Sequence, residues 1–238
     1  MERFSRTALL LGDEGMERLK NAHVLVFGLG GVGSYAVEAL ARAGIGRLTI
    51  VDSDEVSETN INRQLIALSS TVGRHKTEVT AARIAEINPD CAVTAVREFF
   101  TPETAENWDL SRYDYIADAI DTVKSKLFLA SAAQEMNIPI ISCMGMGNRL
   151  DATKITVSDI SKTQGDGLAR TMRKELRARG VKKLKCVWST EEAIKASADE
   201  ALPEGCSRRS LPGSVSFVPG AAGLIMAGEI IKDIAKVI

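Results

Sequence analysis

The chain has little of what metal and thiol chemistry asks for. Its four cysteines, Cys91, Cys143, Cys186 and Cys206, form no CxxC pair, which excludes a zinc knuckle or a CxxC redox centre. Two histidines, His23 and His75, are too few for a His-based metal site, and neither is given a catalytic role. Scattered thiols fit a reducing compartment, so a cytoplasmic location is expected. No apolar run reaches the roughly 20 residues that span a bilayer. Residues 221–227 come nearest and are soon interrupted by Glu229, and the charged first 20 residues lack a signal-peptide core. Peripheral membrane association stays open. Charge of one sign is lacking too: 30 Lys and Arg against 31 Asp and Glu give a net charge of −1, so any attraction to nucleic acid must be local. Aromatic residues are 5% of the chain, which leaves few platforms for stacking bases. Neither repeats nor low-complexity tracts occur.

What is present is an ordinary globular composition, 45% hydrophobic and 26% charged, over 238 residues, which suits a single domain. Residues 23–27 form an apolar run ending at Gly28, and residues 32–43 repeat apolar side chains at helical spacing up to Gly44. Residues 47–51 are β-rich and close on Asp52, completing a strand–turn–helix–strand unit with a right-handed crossover. Helices are then expected over 74–87 and 123–136, with a short one opening at Thr101-Pro102, and strands over 93–96, 113–117 and 138–142. Beyond Gly147, strands are expected over 154–157 and 186–188, a basic helix over 167–179, and a largely apolar helix from Pro219, buried in the core or against a partner. Residues 198–214 show no periodicity and read as a mobile loop. The fold expected is α/β: a doubly wound, mostly parallel, Rossmann-like sheet with additional C-terminal strands and helices. Residues 1–150 would be its nucleotide-binding half and 151–238 its substrate-side and dimerisation half.

Strand, glycine turn and helix meet at Gly28-Leu-Gly30-Gly31-Val-Gly33, where phosphate can approach backbone N–H groups at a helix N-terminus. Close strand–helix packing alone could also ask for such a turn. Asp52, ending the second strand, is placed to accept hydrogen bonds from ribose hydroxyls, which serves NAD and ATP equally. Asn60, Arg63, Gln64 and Lys76 break the tie: converging cations and amides suit a triphosphate, whereas a dinucleotide pyrophosphate does not need them. Taken singly, Arg63 and Lys76 read equally well as solvated surface charges.

The glycine turn, the Asp52-Ser-Asp54 ending, Asn60-x-x-Arg63-Gln64, Gly73-x-x-Lys76 and Asp121-Thr122 stand in an order and spacing that resembles the ubiquitin-activating-like adenylyltransferases of molybdopterin and thiamine biosynthesis. The resemblance implies that Asp52 holds the ribose, that Asn60, Arg63 and Lys76 hold ATP phosphates, that Asp54 and Gln64 also belong to the nucleotide site, and that Asp121 places Mg²⁺ through ATP. Arg6, in Arg3-Phe-Ser-Arg6, is similar to the arginine such enzymes lend to the neighbouring subunit. The second half lacks paired CxxC motifs. Residues 141–150, with Asp159-Ile and the 212–219 segment, resemble the branch that dehydrates tRNA threonylcarbamoyladenosine. That branch implies ATP-dependent adenylation of the threonylcarbamoyl carboxylate followed by ring closure, with Arg6, Arg63, Lys76 and Asp121 catalytic. It also implies a homodimer, a bound Na⁺ or K⁺ without assigned ligands, and in some relatives a cysteine desulfurase or sulfur-acceptor partner; DNA is not expected.

A basic tract offers its own support for RNA. Between Arg170 and Lys185 eight basic residues face one acid, Glu175, and Arg173, Arg177, Lys182, Lys183 and Lys185 are the expected tRNA contacts, a solvated helix face being the bland alternative. Trp188 is expected in the core. Cys206, beside Arg208 and Arg209, could be a transfer thiol or a spare one. Three other functions compete: activation of a sulfur-carrier protein's C-terminus, NAD-dependent oxidoreduction, and non-catalytic RNA binding.

Overall fold

The structure, a computed structural model, describes residues 2–194 and 212–236. Most of the loop expected at 198–214, including Cys206, Arg208 and Arg209, lies outside the described residues. Among the described residues, seven strands form one sheet in the order β3-β2-β1-β4-β5-β7-β6. They are β1 (His23–Phe27), β2 (Arg47–Val51), β3 (Ala92–Val96), β4 (Tyr115–Asp118), β5 (Ile140–Cys143), β6 (Ile155–Asp159) and β7 (Lys185–Ser189). All neighbours are parallel except β6, which runs antiparallel along β7. The chain leaves β3 at one edge and re-enters at β4 beside β1. Order therefore reverses between β1 and β4, and in open parallel sheets that reversal opens a crevice beyond the strands' carboxyl ends.

Two helical layers cover the sheet. On one face α1 (Ser5–Asn21) and α2 (Gly33–Ala43) pack with α6 (Phe217–Ala235), and α3 (Lys76–Ile87) lies against α2 and β3. The other face carries α4 (Val123–Glu135) and α5 (Gly167–Ala178), packed on each other. Burial of the central strands beyond their first residues explains their near-continuous apolar runs. Gly44, at φ 89°, ends α2 with a left-handed cap, and Pro89 stands just past α3. No helix among the described residues is long and apolar enough to cross a membrane.

Most element bounds fall within a residue or two of those expected. The helix α1 was not expected: Gly12, at φ 68°, kinks it, and Leu9 and Leu10 are exposed, so no clean apolar stripe marks it in the sequence. The helix expected to open at Thr101-Pro102 is instead a turn followed by a 3₁₀ turn at Ala105–Asn107. Trp188 is buried, its indole N–H donating to Ser158 Oγ at 2.9 Å, which stitches β7 to β6.

Candidate active site

A cavity of about 730 Å³ opens at the carboxyl ends of β1, β2, β4 and β5, where the strand order reverses. The turn after β1 forms its floor. Gly28 has φ 88°, and a Cβ there would stand 2.7 Å from the Ala119 carbonyl oxygen; a Cβ on Gly33 would stand 1.7 Å from the Gly28 carbonyl oxygen. Both positions therefore demand glycine for folding. Gly33, expected at the ligand, does not line the cavity, whereas Gly28, Gly30 and Gly31 do. At Gly30 the nearest heavy atom to an added Cβ is Gln64 Nε2 at 3.9 Å, so that glycine leaves backbone open to a phosphate rather than making room for protein.

Asp52 ties this turn to β2. Its Oδ2 accepts from the Leu29 N–H at 2.7 Å and its Oδ1 from the Asp54 N–H at 2.9 Å. Each oxygen keeps a lone pair for a hydroxyl of a ligand. Lys76, at the first position of α3 and 5% exposed, puts its Nζ 2.7 Å from Asp54 Oδ2 and 3.6 Å from Asp52 Oδ1. Two carboxylates beside one ammonium hold it at the cavity wall. Asn60 Oδ1 accepts from the Ser57 N–H at 3.1 Å as half of a capping box, leaving its amide NH₂ as a donor. Arg63 donates through Nη1 to Thr59 O (2.9 Å) and Asn62 Oδ1 (3.0 Å), and burial pulls its pKa below the ordinary guanidinium value. Gln64 is buried with its Oε1 unpartnered among the described residues, an acceptor that a bound ligand's donor would satisfy.

Asp121 is exposed at the cavity mouth, in the turn between β4 and α4, and accepts from Thr122 Oγ1 at 3.4 Å. Beneath that turn lies a group that sequence reasoning missed. Lys126 is fully buried; its Nζ reaches Asp118 Oδ2 at 2.9 Å and Ser142 Oγ at 3.0 Å, and Ser142 Oγ donates to the same carboxylate at 2.6 Å. Asp118 Oδ1 accepts from the Ile120 N–H at 3.2 Å. The network thus joins the ends of β4 and β5 to the first turns of α4 and fixes the backbone leading to Asp121. Among the described residues no three His, Cys, Asp or Glu side chains could together hold a metal. A cation near Asp121 would need ligands from a bound substrate.

The opposite wall is the loop after β5, Met144 to Gly147, with Leu168 and residues 212–214. A buried pair holds it: Arg149 Nη2 meets Asp166 Oδ2 at 3.0 Å while Arg149 Nη1 donates to the Gly145 carbonyl and Nε to Glu191 O at 3.1 Å. Asp166 Oδ1 in turn caps α5 through the Ala169 N–H at 2.6 Å. Asn148, at φ 59°, exchanges hydrogen bonds with Gly213, through its own N–H at 2.7 Å and its Oδ1 at 2.6 Å. Cys143 lines the cavity, but burial pushes its thiol, like that of Cys186, up to about 12, so neither supplies a thiolate at neutral pH.

The structure brings Asp52, Asp54, Asn60, Arg63, Gln64, Lys76 and Asp121 to one cavity; Arg6 is elsewhere. Arg3, just before α1, donates to the carbonyls of Glu86 and Ile87 at the end of α3, and Phe4 closes over Gly44 at the end of α2. The cavity lies at the other ends of those two helices, about 16–18 Å away along their axes. The basic tract divides as well. Arg173 donates to Thr163 O and Oγ1 (2.8 and 2.5 Å), and Lys185 pairs with Glu229 and Asp233 on α6 (2.7 and 2.9 Å). Burial opposes the Lys185 charge, but these carboxylates win and raise its pKa. Both residues thus have intramolecular work, and of the five expected RNA contacts Arg177, Lys182 and Lys183 remain exposed.

Known proteins resemble this chain in sequence and fold. A tRNA threonylcarbamoyladenosine dehydratase of Bacillus subtilis is 44% identical over 99% of this chain and 96% of its own length. Crystal structures of the Escherichia coli tRNA N6-threonylcarbamoyladenosine dehydratase, TcdA, in complex with AMP and with ATP superpose with TM-scores of 0.88 and 0.87. Each is 37% identical and covers 98% of this chain, with 94% and 93% of the respective crystallised chain covered. The ThiF family description matches residues 4–237, so the chain belongs to the ThiF family.

Proposed function

We propose that the protein dehydrates N6-threonylcarbamoyladenosine in tRNA, using ATP to adenylate the threonylcarbamoyl carboxylate before ring closure. The observation that carries this reading is the cavity itself. An open glycine turn, the Asp52 carboxylate at the end of β2, and Lys76 and Arg63 converge there, in a chain alike over nearly its whole length to dehydratases crystallised with ATP and AMP. ATP fits these residues on their own chemistry: Gly30 leaves backbone N–H groups bare, and Gln64 holds a buried acceptor that lacks a partner among the described residues. The similarity along both halves favours the dehydratase over activation of a carrier protein, whose adenylyltransferases commonly carry paired CxxC motifs absent here.

ATP is consumed as a co-substrate. The substrate carboxylate attacks the α-phosphorus in line, the bond to the β-phosphate oxygen breaks, and pyrophosphate leaves. The protein's task is to align two anions and to neutralise charge as it grows. Asp52 holds the ribose, while the N–H groups of the glycine turn, the Asn60 amide and Arg63 hold the phosphates. Lys76 exchanges part of its ion pair with Asp54 for a phosphate oxygen. Mg²⁺, held through the phosphates with Asp121 as its protein carboxylate, would supply further charge neutralisation. In the second step an atom of the same threonylcarbamoyl group attacks the acyl carbon and gives up its proton, and AMP leaves with the former carboxylate oxygen, so that the substrate loses the elements of one water.

The direct test incubates the protein with ATP, Mg²⁺ and tRNA carrying the modification, then weighs the digested nucleosides. The modified nucleoside is expected lighter by one water with one AMP formed per conversion; AMP formation without that mass change, or neither, sinks the reading. Asp121→Asn is expected to lower AMP formation about 10- to 100-fold. Its melting temperature without ATP should stay unchanged, because the exposed carboxylate contributes to the site rather than the core. Undiminished turnover would remove Asp121 from the site.

A further inference from the structure

We propose that the exposed face of α5 is a track for RNA backbone phosphates running from the cavity mouth to the Lys182–Lys183 turn, so that the enzyme engages a length of RNA and not the modified nucleoside alone. This rests on the dehydratase reading and adds to it where the RNA lies. Arg170, Lys174 and Arg177 follow one another at steps of four and three residues, which places them on one face of α5. All three are exposed, as are Lys182 and Lys183, and none of the five has a side-chain hydrogen bond or ion pair among the described residues. Lys183 lies near enough to Asp159 to help lower that carboxyl's pKa without pairing with it. The other side of α5, Ala169, Met172 and Leu176, is buried against α4 and β7, which fixes the basic side outward.

Direction turns this patch into a track. The helix starts at the cavity, where Leu168 forms part of the wall and Asp166 grips Arg149 of the substrate-side loop. Twelve residues carry it about 18 Å away, to the turn that leads into β7. ATP or a free nucleoside held in the cavity cannot reach that far turn. A polyanion attached to the reacting nucleotide can, and unpaired guanidinium and ammonium groups at successive helical turns suit phosphates spaced along a backbone.

Two variants test the track, Arg170→Gln/Lys174→Gln/Arg177→Gln on the helix and Lys182→Gln/Lys183→Gln on the turn. The probes are an unmodified tRNA transcript, titrated at several salt concentrations, and ATP, titrated by calorimetry. The helix variant is expected to reduce the slope of log affinity against log salt by about 2–3 and the turn variant by about 1–2. ATP affinity should hold, which certifies the fold and the cavity. With modified tRNA as substrate, KM should rise with kcat little changed. If the wild type binds the transcript and the helix variant keeps the full salt slope, the track is overturned and the dehydratase reading stands. If the wild type binds no RNA, both fall.

Discussion

Replacing Lys126 by methionine is expected to destabilise the protein by about 3–5 kcal/mol, the cost of leaving one member of a buried ion pair without the other. Lys126 and Asp118 are 0% and 1% exposed, so water cannot solvate the orphaned carboxylate. Methionine matches the length of the aliphatic stem, and the loss therefore reports charge more than volume. A second change separates the two: Asp118→Asn in the Lys126→Met background removes the stranded charge while keeping an oxygen for the Ile120 N–H. It is expected to recover at least half of the deficit. Urea unfolding of the wild type, the single and the double variant measures this. A single-variant loss below about 1 kcal/mol would mean that the pair is as weak as an exposed one, and the network would then not be what holds the turn carrying Asp121.

That network also shows where sequence reading runs out. The first half of the sheet was legible because its signals are local: an apolar strand, a glycine turn whose steric needs are met within a few residues, and a carboxylate closing the next strand. Lys126 was not, since a lysine in a helix is by default a surface residue. A weak signal existed, because Lys126 stands on the same side as Ala130 and Ala133, both buried, so a charge interrupts an apolar stripe. Its partners Asp118 and Ser142, however, come from two strands that only the sheet brings together. The same blindness hid the partners of Lys185, carboxylates on α6 that lie 44 and 48 residues further along the chain. Composition reports that cations are abundant in the tract; only folding decides which of them are already occupied. The helix α1 failed for another reason, a kink at Gly12 and exposed leucines that break periodicity.

Arg6 poses the opposite problem, a residue whose expected partner is not found in its own subunit. It follows Arg3 and Phe4 at the far ends of α2 and α3, about a helix length from the cavity and more than an arginine side chain spans, so it does not reach the site of its own chain. If the protein is a homodimer in which Arg6 completes the neighbour's ATP site, Arg6→Ala should lose a charge-assisted contact to phosphate and slow turnover about 10- to 150-fold. Lys76→Ala removes a nearly buried ammonium from the chain's own site, and a loss of about 100- to 1,000-fold is expected. Mixed after subunit exchange, the two variants should complement. In a hybrid, the site with intact Lys76 receives Arg6 from the partner that retains it, while the other site lacks both. Random pairing makes half of the dimers hybrids with one working site of two, so activity should return to about a quarter of wild type. Native mass spectrometry establishes exchange and the dimeric state in the same sample. Hybrids that form in that proportion and stay as inactive as either parent would show that Arg6 does not act across the interface.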